Sequence, residues 1–273
     1  PANNFKFLKA HLNKISFLKR VRLNIAIEQD NKSFLKLTIK VREKIVADGL
    51  DDKKFDVTKI GKHLNALQFN KLLDDENTIC VDIRNHYESE IGRFKNAITP
   101  DVDTFRESLP IIEENLSEYK NDKNLLIYCT GGIRCEKASA YLKHRGFKKV
   151  FQLEGGIIEY ARQVKNNDLE NKFLGKNFVF DERRGERISK EIISKCHQCG
   201  SDCDTHVNCI NEACHLLFIQ CKTCRERMNQ CCSEKCKDIV SLPQQEQKVL
   251  RKGKHNSNKI FKKGRSDVLI FKQ

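Results

Sequence analysis

Ten cysteines fall within the 41 residues from Cys196 to Cys236, and no other feature restricts this chain's fold as tightly. They come in pairs with metal-ligand spacing: Cys196-x2-Cys199, Cys209-x4-Cys214, Cys221-x2-Cys224 and Cys232-x3-Cys236. Tetrahedral sulfur sites draw two ligands from each of two knuckles, so four pairs predict two structural zinc ions. An alternating arrangement assigns Cys196, Cys199, Cys221 and Cys224 to one ion, and Cys209, Cys214, Cys232 and Cys236 to the other. Cys203, Cys231, His197, His206 and His215 stand as alternates, and an iron–sulfur cluster is the competing account. The opening Pro1–Asn4 has no basic-then-apolar signal pattern, and the longest apolar runs, such as Leu125–Cys129 and Leu216–Ile219, are far too short to cross a membrane. The expectation is a cytoplasmic protein with reduced thiols and no membrane partner. Because the first residue is Pro1 and not methionine, a trimmed front is also expected.

The length of 273 residues suggests two domains and a third small one, and 39% hydrophobic content with 16 Phe excludes a wholly disordered chain. The formal charge of +14 is concentrated at the ends. Residues 1–46 carry +8 and residues 244–273 carry +7, which leaves the body close to neutral. The chain therefore divides into a basic start (1–46), a globular body with its linker (47–175), a cysteine-rich zinc module (176–243) and a basic, disordered tail (244–273). Such ends point to an anionic partner. A closed metal site offers no open position, so the module reads as scaffold or RNA-contacting surface.

In the body, the β-prone runs Thr78–Ile83, Leu125–Cys129 and Val150–Leu153 alternate with helical stretches at Asp103–Glu118 and Arg134–His144, as in a parallel α/β sheet. At the front, a helix over Phe5–Leu12 and strands over Val21–Ile27 and Phe34–Val41 look like the latter half of a small α+β unit. After the strand at Leu125 comes Cys129-Thr130-Gly131-Gly132-Ile133-Arg134. Two glycines let successive N–H groups turn toward one point at a helix start, a cradle for an anion that also favours a thiolate. Four residues lie between Cys129 and Arg134, a loop tighter than the five-residue phosphate loop of cysteine phosphatases. Cys129 and Arg134 are the catalytic candidates, with Thr130, Gly131, Gly132 and Ile133 as the cradle. Asp82 and Arg84 read as a structural ion pair, Cys80 as core, and Cys135 as either a resolving thiol or helix packing.

The Cys-x-x-Gly-x-Arg pattern resembles the rhodanese active loop. Asp82-Ile-Arg84, the run from Glu90 to Ile98, and Gly146-Phe147 followed by Leu153-Glu-Gly155-Gly156 agree with it. Together with Asp101–Arg106, Phe180–Arg187 and Cys196-His-Gln-Cys199, the set resembles the rhodanese-containing bacterial tRNA uridine hydroxylases over roughly residues 34–236. The resemblance implies a rhodanese-like parallel sheet with helices on both faces, preceded by part of a ferredoxin-like (acylphosphatase-like) domain and followed by the zinc module. It also implies oxygen-dependent hydroxylation at C5 of the tRNA wobble uridine, with molecular oxygen as co-substrate, tRNA as partner and Cys129 as the active cysteine. Only the latter half of the family's first domain is matched. The residues contain no dinucleotide fingerprint and no His/carboxylate set for oxygen-activating iron. Two other classes stay open: a sulfurtransferase carrying a Cys129 persulfide, and a non-catalytic RNA-binding zinc protein. Arg183, Arg184 and Arg187 are candidates for an RNA surface or a solvated hinge.

Overall fold

The structure, a computed structural model, describes residues 4–19, 23, 41–44, 46–253 and 260. At its centre is a four-stranded parallel sheet in the order β1 (Lys62–Leu64), β5 (Val150–Leu153), β4 (Asn124–Tyr128), β2 (Thr78–Asp82). Strand alternation explains why both faces must be covered. Leu125 and Ile127 of β4 join one core with Val81, whereas Leu126 and Tyr128 join the other with Cys80. The first core is closed by α4 (Phe105–Asn115) and α5 (Ile133–His144), through Leu109, Ile112, Ala138 and Leu142. The second is closed by α2 (Ala66–Leu73) and α6 (Gly156–Asn166), through Phe69, Ile157 and Tyr160. This is the doubly covered parallel sheet expected from the sequence, and β4 ends one residue before Cys129, which therefore belongs to the loop.

Asp82 and Arg84 form the expected structural pair at the end of β2. Both are fully buried; Arg84 Nε donates to Asp82 Oδ1 at 2.9 Å, and its Nη2 also donates to the Gly92 carbonyl at 2.6 Å. Beyond them, α3 (His86–Glu90) leads into β3 (Gly92–Phe94). This strand pairs antiparallel with β6 (Phe173–Asn177), which pairs in turn with β7 (Glu186–Arg187). The cysteine-rich module follows, with the hairpin β8 (His206–Asn208) and β9 (Leu217–Ile219), then α7 (Lys222–Arg227) and α8 (Glu234–Ser241). It shares a core with the body: Tyr87 and Ile91 pack in one cluster with Phe178, Cys196, Cys203, Ile219 and Cys224.

At the front, α1 (Phe5–Lys14) contains the expected helix, but the strands at Val21–Ile27 and Phe34–Val41 fall almost wholly outside the described residues. The start of the tail expected to be disordered needs correction, and residues 254–259 and 261–273 lie outside the described residues. Residues Gln244–Arg251 form α9, with Pro243 at its N-cap, and the helix carries Lys248 and Arg251 in the last turn, where the helix dipole favours cations. Arg251 pairs with Glu212, and Gln247 donates to the carbonyls of Val240 and Leu242, so the helix is tied to the module. Further on, Ile260 bridges to Leu217 of β9. No helix among the described residues is long and apolar enough to cross a membrane.

Candidate functional site

β4 delivers Cys129 to the carboxyl edge of the sheet, where open α/β sheets place their ligand sites. The chain turns through Thr130–Gly132 into α5, with Gly132 in the left-handed region at φ +89°. A second glycine, outside the loop, sets the loop's shape. Gly156 has φ +65°, and a Cβ there would stand 2.5 Å from the Cys129 carbonyl oxygen and 2.6 Å from that of Thr130. Its absence lets α6 come close enough for the N–H groups of Ile157 and Ile158 to donate to those carbonyls, at 3.0 and 3.2 Å. With the carbonyls so engaged, loop amides are left to face the sulfur. Gly132 N–H donates to Cys129 Sγ at 3.2 Å, and Cys135 N–H donates to it as well.

The thiol is 2% exposed. Burial opposes its ionisation, but the Cys135 thiol, the Arg134 guanidinium and the two amides outweigh burial and bring it down to about 6. Cys135 moves the other way, pushed well above the usual thiol range by burial and by the neighbouring Cys129 sulfur. Arg134 does not hold its fork open to a ligand. It is bidentate on Glu88, with Nη1–Oε1 2.6 Å and Nη2–Oε2 2.7 Å, and Thr130 Oγ1 lies 3.3 Å from both Nη2 and Oε2. Glu88 is fully buried; burial would raise its carboxyl, but the Arg134 charge holds it below the usual carboxylate range. Arg134 thus acts on Cys129 through its charge, and Glu88 fixes where that charge stands.

Above the sulfur opens a cleft of about 560 Å³. Cys129, Gly131 and Arg134 form its floor, and Tyr87, Asp103, Phe105, Ile133 and Phe180 are among its walls. Phe180 is 58% exposed at this cleft and sits edge-on to Phe178, with ring centroids 5.2 Å apart. Sequence reasoning missed Glu88 and Tyr87, and met Phe180 only as part of a family motif, without a place at the site. The Asn85-His-Tyr-Glu88 run signals a helix start, and only the fold shows that its acid meets an arginine 46 residues away.

The eight cysteines expected as ligands form two tetrads, Cys196/Cys199/Cys221/Cys224 and Cys209/Cys214/Cys232/Cys236, with all sulfurs of a set within 4.8 Å of one another. Sulfur–sulfur distances are 3.6 Å for Cys199–Cys221 and Cys214–Cys232, and 3.7 Å for Cys232–Cys236. Four sulfurs at about 2.3 Å from one ion would lie about 3.8 Å apart, so each set fits a single tetrahedral metal. N–H groups already point at the sulfurs: Cys221 to Cys196 Sγ at 3.3 Å, Cys224 to Cys221 Sγ at 3.4 Å, and Cys232 to Cys209 Sγ at 3.5 Å. Such donors suit thiolates. The alternates have other positions. His197 meets Glu90 at 2.8 Å and accepts from the Ile219 N–H, His206 stacks edge-on to Phe178, and Cys203 and Cys231 are buried outside the tetrads.

Arg183 and Arg187 are committed to acids. Arg183 is half-buried and clamped between Asp181 and Glu186, and Arg187 pairs with Asp204 at 2.5 Å, so neither is the free phosphate contact or solvated hinge considered from the sequence.

Residues 65–163 match the family described as Rhodanese-like domain, and residues 174–237 the one described as Rhodanase C-terminal. Curated relatives named tRNA uridine(34) hydroxylase align over nearly the whole chain. The protein of Leptospira interrogans is 56% identical over 97% of this chain and 72% of its own length. That of Photorhabdus laumondii is 55% identical over 97% of this chain and 75% of its own. That of Enterobacter sp. is 57% identical over 91% of this chain and 71% of its own. With an active-loop cysteine beneath an open cleft and identity of this extent, the chain belongs to the tRNA uridine(34) hydroxylase family.

Proposed function

We propose that this chain hydroxylates C5 of the wobble uridine of tRNA in an oxygen-dependent reaction, with Cys129 as the reacting nucleophile. One observation carries the reading: a thiol held near pKa 6 at the floor of a cleft of about 560 Å³. An enzyme acting on a base takes it out of its stack, and a cleft of this size accepts a single extruded pyrimidine. The Cys129 thiolate adds to uracil C6, and the C5=C6 electron pair moves toward O4, which makes C5 nucleophilic toward oxygen. Departure of the sulfur after loss of the C5 proton restores the double bond. The Arg134 charge and the Gly132 and Cys135 amides stabilise the thiolate before addition and after release.

Two zinc ions, one in each cysteine tetrad, would brace the module against Tyr87, which lines the cleft and packs on Phe178, and no step passes through them. The S···S distances of 3.6–3.7 Å favour single ions over an iron–sulfur cluster, whose larger core spreads its thiolates. The +8 and +7 ends supply the phosphate contacts to tRNA, and a tRNA substrate supports a cytoplasmic location.

The test is nucleoside mass spectrometry of tRNA with unmodified uridine 34, incubated with the protein in air with a reductant. Gain of one oxygen at that uridine, lost in C129S, is the expected result. Gain of sulfur instead would identify a sulfurtransferase, and an inert Cys129 would leave a binding protein.

A further inference from the structure

Oxygen-dependent hydroxylation needs two electrons beyond those of the substrate, and among the described residues there is no dinucleotide fingerprint to deliver them. The structure places a second thiol against the reacting one. Cys135 lies on the first turn of α5, is fully buried, and packs with Cys129 in the same core cluster; its thiol hydrogen-bonds to the Cys129 sulfur. Both are free thiols. The other cysteine outside the metal module, Cys80, lies in the opposite core, beyond the sheet.

We propose that Cys129 and Cys135 act together as a dithiol that supplies the two electrons for uridine hydroxylation and ends each turnover as a Cys129–Cys135 disulfide. The proposal rests on the hydroxylase reading above. One atom of O2 enters the C5–H bond. C5 bonds O2 as a hydroperoxide, and Cys129 leaves C6 as thiolate when the C5 proton is lost. That thiolate takes the distal oxygen as the O–O bond breaks, giving 5-hydroxyuridine and a Cys129 sulfenic acid. The Cys135 thiol then attacks the sulfenic sulfur, and its proton leaves with the hydroxide as water while the S–S bond forms. In sum, uridine, O2 and two thiols give 5-hydroxyuridine, water and one disulfide: O2 is reduced by four electrons, two from the C–H bond and two from the thiols. A small thiol or dithiol from solution then reduces the disulfide through the cleft.

Burial suits Cys135 to this role. A thiol kept protonated and out of solvent is spared direct oxidation and reacts only with a sulfenic acid formed next to it. Arg134 is held by Glu88 and not by either sulfur, so its position does not depend on a bond to Cys129 or Cys135.

The experiment uses the full chain, reduced and then desalted, mixed with tRNA bearing unmodified uridine 34 in air-saturated buffer without reductant. The expected product is at most one hydroxylated uridine per chain, with an equal amount of Cys129–Cys135 linked peptide in a non-reducing digest. The link should form at least about tenfold faster with tRNA than without, because the sulfenic acid arises only in turnover. C135S and C135A should lose the reductant-free turnover by about tenfold or more while C129S loses all turnover. If neither Cys135 variant folds, the wild-type stoichiometry decides. Hydroxylation that leaves both thiols free, or that exceeds one per chain without reductant, overturns the dithiol role. Absence of hydroxylation with every reductant tried overturns the hydroxylase reading beneath it.

Discussion

Replacing Cys135 with alanine removes the strongest single contact that favours the Cys129 thiolate, and its effect can be worked out in advance. Lowering a thiol from its ordinary value of 9.0 to about 6 is a differential stabilisation of about 4 kcal/mol, at about 1.4 kcal/mol per pH unit. A hydrogen bond to a charged group contributes about 1.5–3 kcal/mol, so C135A should raise the ionisation midpoint by about 1–2 pH units, to about 7–8. The remaining depression belongs to Arg134 and the two amides. At pH 7 the wild-type sulfur should be about nine-tenths thiolate, against about 1% for a thiol at the ordinary value of 9.0. The assay is the rate of Cys129 alkylation by iodoacetamide from pH 4.5 to 9.5, read by peptide mass spectrometry; C135S, which keeps a donor, should stay closer to wild type. The sign for stability follows from the same depressed value. This ionisation stabilises the fold fully above the unfolded thiol's pKa, and the contribution is lost as pH falls through about 6. A C135A midpoint still near 6, or a wild-type midpoint above about 8, would refute the assigned cause.

Other outcomes follow from the same geometry. G156A forces a Cβ into the Cys129 and Thr130 carbonyls at positive φ, and should cost about 1–3 kcal/mol in urea unfolding and slow Cys129 alkylation. R183A leaves the buried Glu186 without its partner, and should destabilise by about 1–3 kcal/mol while leaving the salt slope of tRNA binding unchanged. F180A, at an exposed cleft wall, should change stability by no more than about 0.5 kcal/mol yet raise KM for tRNA. Plasma emission spectrometry should find two zinc ions per chain, and C232S should lose one of them together with a large drop in melting temperature.

Much of this architecture was legible because its signals are local. Near-continuous apolar runs in β2 and β4 announce a sheet covered on both faces, and the spacing of four cysteine pairs leads to the two tetrads observed. The loop from Cys129 to Arg134 declares itself by its glycines and its place after a strand. What stayed hidden depends on tertiary meetings. Glu88 holds Arg134 across 46 residues, and nothing in its own turn distinguishes it from an ordinary capping acid. Gly156 was visible as a motif residue, but its reason is the backbone of another loop. Arg183 and Arg187 looked like surface charge because their acids, two to seventeen residues away, become neighbours only when β6, β7 and the module assemble. The start of the tail misled for a different reason: its polar composition hides a short helix anchored through Gln247 and Arg251.

The shared core between Tyr87, Ile91, Phe178 and the first cysteine tetrad bears on how such a chain could have been assembled or divided. A rhodanese sheet cut free after α6 would lose β6, the partner of β3, and lay bare Tyr87 and Ile91. The two halves are therefore not interchangeable cassettes. Neither could be swapped for a homologous piece without matching residues on the other side of the seam, and a protease that clips the connection should inactivate the protein rather than release a working enzyme.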